Sequence, residues 1–139
     1  MAFRSVITHH FVKSEDLNHH GTLFAGRTAE WFVESGLMAA ALHLPSENIV
    51  CVKIHGMEFT RPIHLGEIVE FKSQAVLAGR SSMTVNIRVS VNGVTNVDGF
   101  ITYVNVDENG KAFPHGVELI AETDEEQNLQ DLAKALPKK

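Results

Sequence analysis

The chain has 139 residues, of which 44% are hydrophobic and 21% charged, a length that one domain with one core occupies. Twelve Lys and Arg against seventeen Asp and Glu give a formal net charge of -5, opposite in sign to the basic surface that binds a nucleic-acid backbone. Composition therefore argues against a two-domain enzyme and against a nucleic-acid partner.

Cysteine content and apolar runs indicate the compartment. Cys51 is the only cysteine, so neither an intrachain disulfide nor a thiolate cluster for a metal can form, which suits a reducing environment. No apolar run reaches the roughly 20 residues of a membrane helix. Residues 1–13 carry polar side chains where a secretory signal is apolar. We expect a soluble, cytoplasmic protein that does not associate with membranes.

A strand, a loop and a helix are predicted in the first third of the chain. Residues 3–12 are rich in β-branched and aromatic types, which predicts a strand, and the polar residues 14–21 predict a loop. Apolar residues in 27–43 cover nearly every angle of a 3.6-residue period, and Pro45 fits a stop just beyond. This pattern predicts a long helix that is buried on all sides.

A second strand is predicted at residues 50–54, where apolar and polar residues alternate. From Met57 onward the apolar residues continue one position out of phase, with Gly56 between the two series. A bulge or bend at Gly56 would restore the phase.

Three further strands and a helix complete the pattern. Half-buried antiparallel strands are predicted at 69–77 and 83–89, and Asn92-Gly93 is a two-residue hairpin signal before a last strand at 94–106. Leucine and alanine recur at helical spacing among charged residues in 122–135, which predicts a surface helix.

This order of elements predicts the fold class. A strand, a long apolar helix, four strands and a tail helix indicate an α+β protein in which a curved antiparallel sheet wraps around the helix, because such burial would hide most of the helix surface. We expect one domain at 1–120 and a C-terminal helical tail at 121–139.

The residues directly before the long helix have the composition of an oxyanion site. Polar side chains and two glycines are concentrated in residues 16–26, and Gly21 and Gly26 permit tight turning and close approach of a ligand to the backbone. Free N–H groups at the helix start, near Ala25, Gly26 and Arg27, would favour negative charge on an oxygen. We expect them to stabilise an oxyanion.

Glu34 is a carboxylate among apolar residues of the predicted helix. Loss of solvation would favour its neutral form, as a general base working near neutral pH requires. Glu30 and Arg27 lie one and two turns earlier, so an ordinary solvated or ion-paired glutamate is the alternative.

Four segments, taken together, resemble the hotdog-fold acyl-CoA thioesterases. They are residues 18–26, the acidic Glu34 within an apolar helix, residues 59–67 and residues 78–82, and the resemblance runs from about residue 3 to residue 106. It implies a five- or six-stranded antiparallel sheet curled around a central helix. It also implies pairing of two such units and hydrolysis of acyl-CoA thioesters without a metal or another cofactor.

The resemblance also implies roles for individual residues. Asn18 would orient the water or the carboxylate, the backbone N–H of Gly26 or its neighbour would polarise the thioester carbonyl, and Glu34 would be the base or nucleophile. The implied substrate-binding residues are His20, Gly21, Thr22, Phe24, Ala25, Arg61, Arg80, Ser81 and Ser82. Because CoA is polyanionic and the chain is acidic, we expect Arg61 and Arg80 to supply a local basic patch.

The spacing of the carboxylate departs from the family pattern. The acidic residue usually follows the second glycine of the loop by seven positions, which is Val33 here, whereas Glu34 follows Gly26 by eight. A one-residue insertion or a π-bulge in the helix would restore the geometry. Ala25 stands where the family often has glycine.

Two other functions remain open on the same fold. A dehydratase or hydratase of enoyl or hydroxyacyl thioesters would use His20 and Glu34, fourteen residues apart. A non-catalytic acyl-CoA-binding module would need only the pocket. In each case we expect a homodimer or a higher homo-oligomer, such as a tetramer or hexamer, with no metal. A site between two copies, with Asn18 and Glu34 from different subunits, is the natural arrangement for so short a chain.

Overall fold

The computed structural model describes residues 1–137 and has the predicted order of elements. Its strands and helices are β1 (Ser5–Phe11), α1 (Ala25–Ala41), β2 (Ile49–Ile54), β3 (Ile68–Ala78), β4 (Ser82–Val91), β5 (Val94–Asn105) and α2 (Asp124–Lys134). Short 3-10 helices precede α1 and β2, at Ser14–Asp16 and Ser46–Asn48. The last two residues of the expected 121–139 tail, Lys138 and Lys139, lie outside the described residues.

The five strands form one antiparallel sheet in the order β1-β3-β4-β5-β2, with β1 and β2 at its edges. Helix α1 packs on one face of this sheet, mainly against β3 and β4, and α2 packs on the opposite face against β3. The predicted α+β fold, a curved antiparallel sheet around a central helix, is therefore confirmed.

Helix α1 is buried on one face only. Its buried residues are Thr28, Trp31, Phe32, Ser35, Gly36, Ala39 and Ala40. Glu30, Glu34 and Ala41 are exposed, and Leu37 and Met38 are each 37% exposed. The prediction of burial on all sides is wrong for the single chain, because one sheet covers only one side of a helix. The predicted bounds were also two residues late at both ends.

Tyr103 on β5 holds the middle of α1 close to the sheet. Its hydroxyl donates a hydrogen bond of 2.8 Å to the carbonyl of Val33, and burial raises the pKa of that hydroxyl. A Cβ on Gly36 would lie 2.5 Å from the Tyr103 hydroxyl, so the close approach requires glycine. The hydroxyls of Ser35 and Ser73 add a second hydrogen bond between α1 and β3.

The irregularity predicted near Gly56 is divided between two places. The register of β2 against β5 shifts between Cys51 and Lys53, so the bulge lies inside β2. Gly56 bends the chain beyond the strand with φ of 108°. Because β2 is an edge strand, Val50, Val52 and Ile54 remain 42%, 55% and 42% exposed.

The strand predicted to be half-buried at 83–89 is instead buried along most of its length, because β4 lies in the middle of the sheet and eight of its ten residues are buried. The hairpin turn and the C-terminal helix are as predicted. Asn92 and Gly93 both have positive φ, as a type I′ turn requires, and join β4 to β5. Helix α2 begins after Thr123, whose hydroxyl accepts a hydrogen bond from the amide of Glu126 at 3.1 Å. None of the helices in residues 1–137 is long and apolar enough to cross a membrane.

Candidate active site

Asn18 closes the loop that leads into α1. Its side-chain oxygen accepts hydrogen bonds from the amides of His20 at 2.8 Å and Thr22 at 3.2 Å. Its side-chain amide donates to the Thr22 hydroxyl at 3.1 Å, and its backbone N–H donates to the Thr22 carbonyl at 2.7 Å. Gly21, with φ of 78°, makes the tight turn between them possible. Asn18 therefore fixes the shape of its own loop.

Asp16 anchors this loop to the helix, a role that the sequence did not predict. Its side chain is only 5% exposed and lies 3.3 Å from the Arg27 guanidinium. The second carboxylate oxygen accepts a hydrogen bond from the amide of Lys13 at 2.9 Å, and the Asp16 carbonyl accepts one from the amide of Phe24 at 2.9 Å. Asp16 is one of several polar residues in the loop. Only its contacts in the folded structure distinguish it from the others.

The first turn of α1 presents two amides rather than the three expected. The N–H of Arg27 donates to the Phe24 carbonyl at 2.9 Å, so this group is not free, because the helix begins two residues earlier than predicted. Within residues 1–137, the N–H groups of Ala25 and Gly26 donate no hydrogen bond, and Phe24 at the N-cap offers no side-chain acceptor. These two amides can polarise an oxygen brought to the helix terminus.

A cavity of about 330 Å³ lies beside this helix start. It is lined by Asn18, Thr22, Leu23, Ala25 and Thr28 from the loop and α1, and by Phe59, Thr60, Arg61, Pro62 and Ile63 from the segment before β3. The two sides are joined where the amide of Leu23 donates to the Ile63 carbonyl at 2.7 Å. The structure thus brings Asn18, Thr22, Ala25 and Arg61 together. The ring of Phe24 packs over Gly26, where it would collide with a Cβ.

Glu34 lies elsewhere on α1 and is exposed in the single chain. The single chain therefore does not supply the desolvation expected for its carboxylate, because no residue among 1–137 covers the helix face that carries it. Its neighbour is His10 of β1, whose ring stacks on Trp31 with centroids 4.2 Å apart. Burial lowers the pKa of His10, and the Glu34 carboxylate acts on it in the opposite direction.

Glu34 and Gly26 are too far apart to act on one carbonyl within a single chain. Residues 25–41 are continuous α-helix, so the π-bulge offered as one explanation of the Glu34 spacing is absent. Eight residues at 1.5 Å rise separate the two positions by about 12 Å along the helix axis. A donor about 3 Å from the oxygen and a nucleophile about 3 Å from the carbon span much less than that.

The two arginines of the expected basic patch lie at opposite ends of β5. The Arg61 carbonyl accepts a hydrogen bond from the Asn96 side chain near the start of the strand. The amide of Asn105, at its end, donates to Ser81, next to Arg80. Nine residues of strand separate Asn96 from Asn105 by about 30 Å. One chain therefore does not form this patch.

The remaining predicted residues divide between two loops. Arg80, Ser81 and Ser82 lie together around the turn between β3 and β4, where the amide of Gly79 donates to the Ser82 carbonyl at 3.0 Å. His20 is exposed in the loop before α1, with its ring 4.0 Å from that of His19. In residues 1–137, no group of three or more His, Cys, Asp or Glu side chains is placed to hold a metal ion.

Comparison with known proteins identifies a family and individual proteins that this chain resembles. The model of the thioesterase superfamily matches residues 20–96. An uncharacterized acyl-CoA thioester hydrolase of Bacillus subtilis (strain 168) is 29% identical over 124 residues, which are 85% of this chain and 71% of that protein.

Two solved structures share the fold closely. An apo-hexameric acyl-CoA thioesterase superposes with a TM-score of 0.86 at 29% identity, over 94% of this chain and 86% of that one. An acyl-CoA hydrolase from Bacillus cereus superposes with a TM-score of 0.87 at 25% identity, over 94% of this chain and 82% of the other.

Proposed function

Because the chain belongs to the thioesterase superfamily, we propose that it hydrolyses acyl-CoA thioesters to a free carboxylic acid and CoA. The observation that carries this proposal lies at the N-terminus of α1, beside the 330 Å³ cavity. Within residues 1–137, the backbone N–H groups of Ala25 and Gly26 donate no hydrogen bond there. The relatives described as acyl-CoA thioester hydrolases support CoA as the leaving group.

The proposed chemistry begins at the thioester carbonyl. The amides of Ala25 and Gly26 polarise the carbonyl oxygen and stabilise the negative charge that forms on it. Glu34 takes a proton from water, the resulting hydroxide equivalent attacks the carbonyl carbon, and the C–S bond breaks as the tetrahedral intermediate collapses. The thiolate leaves with the proton that Glu34 accepted. Asn18 holds the loop that positions the two amides.

Direct attack by the Glu34 carboxylate is the other route to the same products. It forms an acyl-glutamyl anhydride, which water then hydrolyses. Single turnover in ¹⁸O-labelled water can reveal the anhydride route. Water that attacks the Glu34 carbonyl carbon of the anhydride leaves ¹⁸O on Glu34, which general-base catalysis never does, because it places ¹⁸O only in the acid product.

Two copies of the chain are needed to assemble this site. The separation of about 12 Å between Gly26 and Glu34 supports a pairing in which Glu34 of one copy faces the amides of another. The exposed apolar residues on the α1 side, such as Leu37 on α1 and Ile54 on β2, offer surface for such a contact. The relative described as hexameric supports a homo-oligomer of at least two chains.

Replacing Glu34 by Gln tests the assignment of the carboxylate. We expect kcat for acyl-CoA hydrolysis to fall by at least about 100-fold, the scale of a lost general base, while the circular dichroism spectrum stays unchanged. Glu30→Gln, on the same exposed face one turn earlier, is the matched control and should retain activity. Turnover by Glu34→Gln equal to that of the wild type would rule out this role.

The alternative reactions are separated by parallel assays of thiol release and enoyl-CoA hydration. His20→Ala should abolish hydration if the protein is a hydratase, but should change thiol release only modestly under the proposed mechanism. An acyl-CoA-dependent rise in Tm without either reaction would instead indicate a binding module.

A further inference from the structure

A cavity of about 530 Å³ lies on the sheet face opposite α1. Thr102 lines it, whereas the next residue, Tyr103, faces α1. Thr102 pairs with Lys53 on β2 and with Thr84 on β4, and directly opposed residues of antiparallel strands share a face. These three side chains therefore point away from the candidate active site.

The cavity has an apolar wall and a polar floor. Its apolar lining comes from Leu77 and Ala78 on β3, Val52 on β2, and Ala133, Leu136 and Pro137 at the end of α2. The floor carries a connected series of polar atoms. His55 Nε2 lies 2.6 Å from the Thr102 hydroxyl, which lies 3.2 Å from the Thr84 hydroxyl.

This polar series can present a donor to a ligand. If Nε2 of His55 carries the proton and donates to Thr102, then Thr102 donates to Thr84, and the Thr84 hydrogen remains for another acceptor. Burial and the neighbouring Lys53 ammonium lower the pKa of His55, which favours a neutral ring with a single N–H.

The charged side chains among the described lining residues are positive, although the chain has a net charge of -5. Lys53 and Lys134 line the cavity, and among the described residues that line it there is no Asp or Glu. Two ammonium groups and a hydroxyl donor suit an anionic head, while the leucines and alanines suit a hydrocarbon chain. The volume falls within the range of small-molecule sites.

We propose that this outer cavity is a second ligand site, separate from the hydrolytic site, which binds an aliphatic monocarboxylate with its head between Lys53 and Lys134 and its chain against Leu77 and Leu136. The ligand makes no covalent bond and is not turned over there. The proposal does not depend on the acyl-CoA specificity of the reaction.

Threonine methyl signals report the two sites separately. Octanoate is titrated into the full-length protein labelled with ¹³C at threonine methyls, without substrate. Saturable shifts of Thr84 and Thr102 in the millimolar range are expected, because both side chains line the outer cavity. Shifts of Thr22 and Thr28 alone would place octanoate at the active-site cavity and overturn the proposal, while leaving acyl-CoA hydrolysis standing.

The requirements for a negatively charged head and for a hydrocarbon chain in the ligand are tested with matched probes and variants. Octylamine and acetate should each shift Thr84 and Thr102 far less than octanoate does. The double variant Lys53→Ala/Lys134→Ala should weaken octanoate binding by at least about tenfold, whereas Lys72→Ala, on β3 outside the cavity lining, should leave it unchanged. Equal binding of octanoate and octylamine, or unaltered binding by the double variant, would refute the assignment.

Discussion

At the scale of single residues, Asn18 and Asp16 together determine the conformation of the loop before α1. Asn18 closes the turn through side-chain hydrogen bonds to His20 and Thr22, and Asp16 ties the loop to the helix through Arg27. The importance of Asn18 could be recognised from the sequence because Asn18 belongs to a family motif. The importance of Asp16 could not be recognised there, because it depends on the burial of the Asp16 carboxylate.

Asp16→Ala is expected to lower the free energy of unfolding by about 1–3 kcal/mol, the usual cost of leaving buried polar partners unsatisfied. The substitution removes the acceptor for the Lys13 amide and the partner of Arg27. Urea unfolding measures the change. Glu30→Ala breaks the exposed contact of Arg27, 3.5 Å long, and should change stability by less than about 0.5 kcal/mol. Equal effects would contradict the anchoring role of Asp16.

His43 gives the fold a predictable sensitivity to acid. Within residues 1–137 both of its ring nitrogens are buried without a hydrogen-bond partner, and burial, Arg4 and the N-terminal ammonium lower its pKa. The unfolded chain therefore binds a proton more readily than the folded one. The stability contributed by neutral His43 is full above the unfolded pKa of about 6.5 and is lost as pH falls through the lower folded value.

His43→Phe should flatten the dependence of unfolding free energy on pH between about 7.5 and 5. It keeps the ring and removes the group that titrates, so stability near pH 7 should not fall greatly. Urea unfolding at several pH values measures the slope. His19→Phe adds the same ring at an exposed position and serves as the control. A slope unchanged by His43→Phe would show that other groups cause the acid sensitivity.

At the scale of elements, the close packing of α1 against the sheet depends on one glycine. A Cβ at Gly36 would lie 2.5 Å from the Tyr103 hydroxyl and 3.1 Å from Ile87 Cδ1. Helix propensity alone favours alanine there by about 1 kcal/mol. The contact with β5 outweighs this preference, and the hydrophobic pattern of the helix does not reveal it.

Gly36→Ala should destabilise the protein by about 1–3 kcal/mol despite the better helix former, because the helix must shift from Tyr103. The companion variant is Tyr103→Phe, which removes the hydroxyl that the new methyl would meet. In that background Gly36→Ala should cost much less, and a double-mutant cycle by denaturant unfolding gives the coupling. Additive effects of the two substitutions would contradict the steric explanation.

Helix α2 buries fewer residues against the sheet than α1 does. Leu129 and Ala133 are its buried residues, and they contact Val76 on the sheet. The treatment of 121–139 as a separate tail therefore stays a prediction. Hydrogen exchange tests it: α2 amides should exchange faster than those of β4, whose residues are mostly buried. Equal protection would mean that α2 unfolds only with the whole domain.

At the scale of the whole molecule, the proposed mechanism requires Glu34 and the helix amides of different chains to come together. Within one chain they are about 12 Å apart along α1, and the helix face that carries Glu34 has no cover. Arg61 and Arg80 are likewise separated by the length of β5. Pairing of chains would supply both the missing cover and the missing neighbours.

Mixing two variants that are each expected to be inactive tests the composite site, since Asn18 positions the helix amides and Glu34 supplies the carboxylate. Asn18→Ala and Glu34→Gln chains, unfolded together and refolded as an equal mixture, should recover about a quarter of wild-type activity if paired chains share each site. Half of the dimers are then mixed, and one of the two sites in each mixed dimer is intact. Thiol release measures the recovery, with each variant refolded alone as the control. Activity no higher than in these controls would indicate that each chain carries its own complete site.

The sequence by itself determined the order of elements, the hairpin turn at Asn92-Gly93, the fold class and the loop with its two glycines, because hydrophobic periodicity and backbone conformation are local properties of the chain. The tertiary structure decided which face of α1 is covered, where β2 bulges, that Asp16 anchors the loop, and that Glu34 is exposed in the single chain. These features arise from contacts between residues distant in sequence. The spacing of residue types along the chain does not encode such contacts.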